Sequence, residues 1–315
     1  MNNRRAFIVG IKSSKLQSKE KSFLRKYKPW GVILFTRNIK DIKQTLRLTT
    51  SIRKIFNDNR YPILIDQEGG RVNRLKNIIS FDNLTSEFFG NKYLKNFMEF
   101  KFFYKLFIDK TSYLLRSMGI NINTSPVLDL RVKGASNVIG NRSFSKDPKI
   151  VSAIGDYCIK YLHENGIGAV IKHIPGHGLA KVDSHNFTPI INKKLNYLLK
   201  KDFKAFKNKK TFFAMTGHII FNKIDKENTV THSKKLIGLI RNKIGFKNIL
   251  ISDDLSMKSL KKTLKENTIE TFNAGCNLAL HCNGNIKEME IVGKNAPLID
   301  KFITKKTSQF YKILR

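Results

Sequence analysis

Short apolar runs recur along the chain, separated by longer stretches in which apolar residues return at helical spacing. Continuous apolar runs of this kind are typical of strands that are buried on both faces, as in a parallel sheet covered by helices. The pattern therefore predicts strands that alternate with helices. The eight predicted strands are 6–10, 31–35, 62–66, 120–130, 168–172, 212–216, 248–252 and 277–282.

Helix signals occupy several of the intervals between these strands. Residues 94–117 predict one long helix, rich in Phe, Tyr and Leu. The pair Asn165-Gly166 is a typical signal for the end of a helix, and Ser233 is a good N-cap for a helix over 234–244. The tail of the chain, 297–314, also has helical spacing.

The number of these units and the chain length together indicate the fold. Eight strand–helix units in 315 residues match a (β/α)8 barrel. A doubly wound open sheet is the alternative, but no GxGxxG follows the first predicted strand. We predict an α/β fold, a single-domain (β/α)8 TIM-type barrel, in which residues 1–315 form one catalytic domain.

Polar, chemically capable residues stand at the ends of six of the eight predicted strands. In a (β/α)8 barrel the carboxyl ends of all strands meet on one face, and that face holds the active site. We therefore expect these side chains to share one site. They are Thr36-Arg37-Asn38, the stretch 66–71, Lys172-His173, Thr216-Gly217-His218, Ser252-Asp253-Asp254 and His281-Cys282-Asn283.

The densest group of titratable residues lies in 171–185, IKHIPGHGLAKVDSH, which contains three histidines, two lysines and one aspartate. Pro175-Gly176 excludes a helix here, so the stretch is predicted to leave a buried strand as a loop, where chemistry is usually placed. Histidine and aspartate are also zinc ligands. However, His173 and His177 would share a helix face only in a helix, so we predict no metal and no other cofactor.

Charge is the unusual feature of the composition, with 59 basic residues against 24 acidic ones and a net charge of +35. Such an excess can indicate a nucleic-acid or other polyanion binder. The lysines are instead spread over the whole chain, without a recognised nucleic-acid motif, which favours solvated lysine faces. Acidic small molecules would still be attracted.

Compartment signals are few. No apolar run approaches the roughly 20 residues of a membrane helix. The start, MNNRRAFIVGIKSSK, has too short an apolar patch for a secretory signal. The three cysteines include no CxxC pair and fit a reducing compartment. We expect a cytoplasmic protein without a membrane span.

Eight short motifs occur in order along the chain: GVILFTRN, IDQEGGRVNR, SPVLDL, VIGNRSF, IKHIPGHG, DSH, ISDDLSM and AGCN. Together they resemble family 3 glycoside hydrolases, most closely the bacterial β-N-acetylhexosaminidases of the NagZ type. The resemblance covers roughly residues 5–285. It implies a barrel, a retaining mechanism through a covalent glycosyl-enzyme, and removal of N-acetylglucosamine from cell-wall fragments.

The resemblance also implies roles for particular residues. It places the nucleophile on Asp253 and the acid/base pair on His185 with Asp183. Ile174, where many members have Phe, departs from the pattern without touching an implied role. The implied sugar-binding residues are Asp66, Arg74, Arg142, Lys172 and His173.

The chemistry of these residue types is consistent with those roles. Retaining hydrolysis needs a carboxylate nucleophile and a proton donor across the scissile bond. Strand alternation predicts that Asp253 and Asp254 point to opposite sides, so that only Asp253 is the nucleophile. The alternative is that both cap the following helix. A histidine, with an ordinary pKa of about 6.5, suits proton donation at neutral pH, and Asp183 could set the tautomer of His185.

Other interpretations remain open for individual residues. Asp183 and His185 could be an exposed loop pair without a catalytic role, and Arg74 could be a surface residue. Glu68 and Arg71 could form a purely structural ion pair.

We therefore predict an exo-acting, retaining β-N-acetylglucosaminidase of peptidoglycan recycling, acting as a monomer on a small carbohydrate substrate. The alternatives are an N-acetylglucosaminide phosphorylase or β-glucosidase of the same family. An alternative that is not an enzyme is a non-catalytic barrel that binds polyanions. We do not predict nucleic-acid binding, despite the basic charge.

Overall fold

The computed structural model describes residues 3–184 and 186–314. Within these residues, eight parallel strands close into a barrel and follow one another in chain order around it. The predicted (β/α)8 barrel is therefore confirmed. The strands are β1 (Arg5–Gly10), β2 (Pro29–Leu34), β3 (Ile63–Ile65), β4 (Ile122–Asn123), β5 (Gly168–Ile174), β7 (Phe213–Thr216), β9 (Ile249–Asp254) and β10 (Leu278–His281), with β6 (Ile190–Ile191) and β8 (Ile220–Phe221) forming a separate pair.

Helices cover the outside of the barrel. Among the described residues, no helix combines the length and the apolar composition that crossing a membrane requires. The helices are α1 (Ser18–Tyr27), α2 (Ile42–Phe56), α3 (Ser86–Lys95), α4 (Phe97–Ser117), α5 (Pro148–Glu164), α6 (Leu195–Lys200), α7 (Lys234–Leu239), α8 (Leu264–Ala274), α9 (Ile286–Asn295) and α10 (Lys301–Tyr311).

Local capping decides where these helices begin and end. The helix predicted over 94–117 is two helices, because Asn96 is extended and its side chain accepts the first N–H groups of α4. The Ser233 cap is confirmed, since its hydroxyl accepts from the N–H of Leu236 at 3.1 Å. The helix predicted over 234–244 is an α-helix only as far as Leu239, and it continues as a π-helix over Ile240–Ile244.

Each predicted strand differs from the observed one by at least one residue at an end, and two of these differences bear on the site. Of the strand predicted over 120–130, only Ile122 and Asn123 pair with neighbouring strands, as β4. Pro126 has no N–H to donate to a strand ladder, so the strand does not continue through it. The chain beyond it returns to the sheet only at an isolated bridge between Val127 and Lys172. The strand predicted to end at residue 172 continues to Ile174.

The amino end of the barrel is closed by α10. Phe310 packs edge-on against Phe213 with ring centroids 5.2 Å apart, and Trp30 lies 5.6 Å from Phe213 on the other side. The buried indole of Trp30 donates to the hydroxyl of Thr307 at 2.9 Å. Because large apolar side chains fill this end, a ligand can enter only at the opposite end, where the strands finish.

Candidate active site

A cavity of about 140 Å³ lies at the carboxyl ends of the barrel strands. Seven of the eight barrel strands contribute a lining residue at or directly after their ends, as the barrel fold requires of an active site. The implied site residues that line it are Asp66, Arg74, Arg142, Lys172, His173 and Asp253.

Lys172 lies at the centre of a cluster of ion pairs, called here the Lys172 cluster, with Asp66, Glu68, Arg74 and Arg142. Its ammonium group is buried, contacts Asp66 and lies 2.6 Å from Glu68. Arg74 lies 2.7 Å from the other oxygen of Asp66. Arg142 donates to both oxygens of Glu68, at 2.7 and 2.8 Å. The cluster therefore combines three cations with two carboxylates.

These contacts set the charge states within the Lys172 cluster. Burial alone would raise the pKa of Asp66, but Lys172 and Arg74 outweigh it and hold that pKa well below its usual value. Burial would likewise raise the pKa of Glu68, yet Arg142 and Lys172 lower it. For Arg142, burial would lower the pKa, but Glu68 raises it. Asp66, Glu68 and Arg142 therefore stay charged at neutral pH, and the cluster as a whole has three basic side chains against two acidic ones.

Asp129 joins two histidines of the predicted loop. It is fully buried, and one of its oxygens lies 2.6 Å from Nδ1 of His173. Its other oxygen accepts from the backbone N–H of His177 at 2.6 Å. Burial would raise the pKa of Asp129, but His173 outweighs it and the pKa is lowered. With Nδ1 engaged, the other ring nitrogen of His173 is left for a ligand.

His177 connects this buried network to the loop that carries the proposed acid/base pair. Burial lowers the pKa of His177 to about 4, so its ring is neutral at neutral pH. Its Nε2 atom lies 3.0 Å from the hydroxyl of Ser184. Since Ser184 lies between Asp183 and His185 in the chain, this hydrogen bond ties the loop to the cavity wall.

An irregularity near the end of β5 helps to position two consecutive site residues. Lys172 and Ile174 of β5 pair with Met215 and Thr216, which are consecutive in β7, so β5 has one extra residue here. Both Lys172 and His173 line the cavity. Regular strand alternation would place them on opposite faces, and an extra residue of this type redirects side chains.

The end of β9 has a comparable irregularity. Ile251 and Asp254 of β9 pair with Leu278 and Leu280 of β10, so β9 again has one more residue than its neighbour. Asp253 and Asp254 both line the cavity. The prediction that they point to opposite sides is therefore wrong, because the extra residue interrupts the alternation.

The two aspartates still differ in what surrounds their carboxylates. Asp254 accepts from the backbone N–H of Cys282 at 3.1 Å and from the N–H and hydroxyl of Ser256 at 3.0 and 2.8 Å. It therefore holds the turn after β9. Neither aspartate caps the following helix α8, whose N-cap is Thr263, so that alternative is also wrong. Asp253 accepts from the backbone N–H of Asp254 at 2.8 Å.

The proposed acid/base pair is only partly within the described residues. Asp183 is half-buried and close enough to Arg71 to influence its pKa. Its neighbour Ser184 lines the cavity. His185, predicted as the proton donor, lies outside the described residues.

The sequence motifs assign no binding role to Glu68 or Asp129, two acidic residues that the structure places at the site. Glu68 pairs with Arg142 and Lys172, whereas Arg71 donates to backbone carbonyls, including that of Val138 at 2.6 Å. The alternative in which Glu68 and Arg71 form a structural ion pair is therefore wrong. Asp129 is the fifth residue of the SPVLDL motif, and Glu68 lies in the predicted strand-end stretch 66–71. Their positions in the chain were therefore the signal that could have identified both residues.

The positions of the potential metal ligands among the described residues do not favour a metal site. In the part of the chain that the structure describes, no three His, Cys, Asp or Glu side chains converge in a way that could hold a metal ion. The absence of a metal and of any other cofactor stays a prediction.

Comparisons with known proteins agree on one family. The model of the glycosyl hydrolase family 3 N-terminal domain matches residues 6–307. The Beta-hexosaminidase of Psychromonas ingrahamii is 32% identical over 98% of this chain and 90% of its own length. That of Tolumonas auensis is 31% identical over 90% of this chain and 85% of its own length.

A solved structure shares the fold over nearly the same span. It is NagZ from Neisseria gonorrhoeae in complex with N-trifluoroacetyl-D-glucosamine. It is similar to this chain with a TM-score of 0.88 and 27% identity, over 98% of this chain and 90% of the other.

Proposed function

Because the chain belongs to glycosyl hydrolase family 3, and is thus a glycoside hydrolase, we propose that it is an exo-acting, retaining β-N-acetylglucosaminidase. The observation that carries this proposal is that Asp253 lines the same closed-ended cavity as the Lys172 cluster. A carboxylate and a group of fixed hydrogen-bond donors thus face one small polar space. That is the arrangement a glycosidase needs to hold a sugar and attack its anomeric carbon.

In the first step we assign the nucleophile to Asp253. Its carboxylate attacks the anomeric carbon, the bond to the leaving oxygen breaks, and His185 gives that oxygen a proton. In the second step His185 takes a proton from water, water attacks the same carbon, and Asp253 is released as a carboxylate. Two displacements return the original configuration. Asp183 is assigned to orient His185.

The sugar specificity is assigned to the Lys172 cluster together with His173. Lys172, Arg74 and Arg142 can donate to sugar hydroxyls or to an acetamido carbonyl. Relatives are named Beta-hexosaminidase, and the gonococcal NagZ structure holds a fluorinated N-acylglucosamine. We propose β-linked N-acetylglucosamine at the non-reducing end of peptidoglycan fragments as the substrate.

The chain should strongly prefer the acetamido sugar. We expect kcat/KM for nitrophenyl N-acetyl-β-glucosaminide to exceed that for nitrophenyl β-glucoside by at least about a hundredfold, because buried donors built for a substituent are left unpaired without it. Steady-state kinetics on the two substrates measure this ratio. Equal efficiency on the glucoside would refute the sugar assignment.

His185→Ala should affect substrates according to their leaving groups. We expect about a thousandfold loss with a poor leaving group, and a much smaller loss in glycosylation with nitrophenolate, which needs little protonation. Added azide should then give a glycosyl azide of retained configuration, since a small anion needs no base. Product analysis by NMR measures this.

The nucleophile variant is the control for this experiment. In Asp253→Ala, azide could enter only the vacated face and would give the azide of inverted configuration. If His185→Ala forms no retained azide and loses activity equally on all leaving groups, His185 is not the acid/base.

We further propose that residues 1–315 act as one catalytic domain and work as a monomer in the cytoplasm. The closure of the barrel by its own helix α10 supports the first point, because no second domain is needed to cover that end. The polyanion-binding alternative would predict no turnover of the nitrophenyl substrate and salt-dependent retention on DNA.

A further inference from the structure

The outer surface of α4 exposes an unusual amount of apolar side chain. Met98, Phe102, Leu106 and Tyr113 are 69%, 66%, 56% and 58% exposed. These four residues are called here the α4 apolar face. Single exposed apolar residues are ordinary on a soluble protein, whereas a contiguous group of large ones marks an interaction surface.

The four side chains project in nearly the same direction. At the 100° per residue of an α-helix, positions 98, 102, 106 and 113 fall within an arc of about 80°. The opposite side of α4, with Phe100 and Tyr104, is buried against the barrel. The apolar face is therefore turned to solvent, and two half-buried charged residues, Asp109 and Arg116, fall within the same arc.

Lysines border this face on both sides. At the same helical spacing, Lys101 and Lys105 fall on one side of the arc and Lys110 falls on the other. Lys95 is exposed directly before α4, at the end of α3. A stripe of Phe, Met and Leu between lysines is the composition of a helix that lies in the interface of an anionic membrane.

The acidic residues nearby are largely neutralised. Glu99 pairs with Lys92 at 3.0 Å. Asp109 pairs with Lys105 at 2.5 Å and accepts from Asn165 at 2.7 Å. Lys95, Lys101 and Lys110 therefore remain as uncompensated positive charge around the apolar face.

We infer that the α4 apolar face docks reversibly on an anionic lipid surface. Two copies of a chain with a net charge of +35 repel each other, which disfavours self-association through this face. Nucleic acid would account for the lysines but not for four exposed apolar side chains. An anionic bilayer satisfies both, since the lysines meet headgroups and the apolar side chains enter the acyl boundary.

This surface is separate from the site described above. None of its four residues lines the cavity, and α4 packs against helices α2, α3 and α5, while the cavity opens at the strand ends. Docking would therefore leave the cavity open to substrate, and the inference does not depend on the proposed sugar. We expect variants of the face to keep their activity on a soluble substrate.

The first experiment is co-sedimentation with vesicles of phosphatidylglycerol mixed with phosphatidylcholine, against vesicles of phosphatidylcholine alone. Wild type should bind the anionic vesicles, and Phe102→Ser/Leu106→Ser should bind at least about tenfold more weakly. Ile291→Ser/Leu298→Ser is the matched control, because these side chains are also apolar and exposed but lie outside the face. Turnover of a soluble substrate checks that each variant is folded.

A second pair of variants tests the charge. Lys101→Gln/Lys110→Gln removes two unpaired lysines beside the face and should weaken binding to anionic vesicles by about thirtyfold, at roughly 1 kcal/mol per lysine. The control Lys287→Gln/Lys301→Gln removes the same charge elsewhere and should bind nearly as wild type.

Three results would overturn the inference. The first is that the wild-type protein does not bind anionic vesicles. This result would count against the inference even if the α4 apolar face instead bound an acidic protein or formed a dimer. The second is an equal loss of binding in the α4 variants and their controls, which would mean that total charge alone retains the protein. The third is equal binding to vesicles with and without phosphatidylglycerol.

Discussion

Asp253→Ala is expected to lower kcat for nitrophenyl N-acetyl-β-glucosaminide by about five orders of magnitude. In the proposed mechanism, covalent catalysis has no substitute once the attacking carboxylate of Asp253 is removed. The Asp253 carboxylate accepts from the N–H of Asp254, the next residue in the chain. We expect the variant to remain folded, because Asp253 is half-buried at the end of β9 and is not part of the apolar core. Steady-state kinetics and thermal unfolding measure the two effects.

Asp254→Asn is the matched control for this experiment, since it alters the neighbouring carboxylate on the same cavity. Its oxygens accept from Ser256 and Cys282, so its loss should lower stability more than it lowers kcat. Intact-protein mass spectrometry with a slow fluorosugar should place the trapped glycosyl group on Asp253. A dispensable Asp253 beside an indispensable Asp254 would reverse the assignment.

Lys172→Met is expected to reduce both stability and activity severely. The substitution leaves Asp66 and Glu68 without the cation they share, and breaking a buried ion pair costs about 3–5 kcal/mol of unfolding free energy. It also removes a donor that lines the cavity, so we expect kcat/KM to fall by at least about a thousandfold. Urea unfolding at neutral pH and kinetics on the folded protein measure these losses.

The same variant should change the response to acid. In the wild-type protein the pKa values of Asp66 and Glu68 are lowered by folding. Their contribution to stability is therefore present above their unfolded pKa values, of about 4, and is lost as the pH falls through the folded values. Without Lys172 the folded pKa values rise. The midpoint of acid unfolding should then move to higher pH.

Lys209→Met provides the comparison for a buried lysine outside the cavity. Lys209 is buried and pairs with Asp156 at 2.8 Å. Its replacement should lower stability while leaving kcat/KM of the folded protein near the wild-type value. If Lys172→Met behaves like Lys209→Met, the Lys172 cluster is structural and does not bind the sugar.

Much of the barrel could be predicted from the sequence because its signals are local. Most barrel strands begin in a continuous apolar run, with β4 as the exception, and a run that must be buried on both faces can be recognised without knowing its neighbours. Ser233 and the pair Asn165-Gly166 likewise mark helix ends through bonds to residues a few positions away. The chain order of strands in a barrel then places the strand ends together.

The sequence by itself thus determined the strands, the barrel and the end of it that carries polar residues. Only the tertiary structure decided that Glu68 pairs with Arg142, 74 residues away, and that Asp129 holds His173, 44 residues away. It also decided that Asp253 and Asp254 share a cavity, and that Phe102 faces solvent while Phe100 faces the core. The reason is physical. Secondary structure follows from periodicity within a few residues, whereas ion-pair partners, strand register and the buried side of an apolar helix depend on what packs against them.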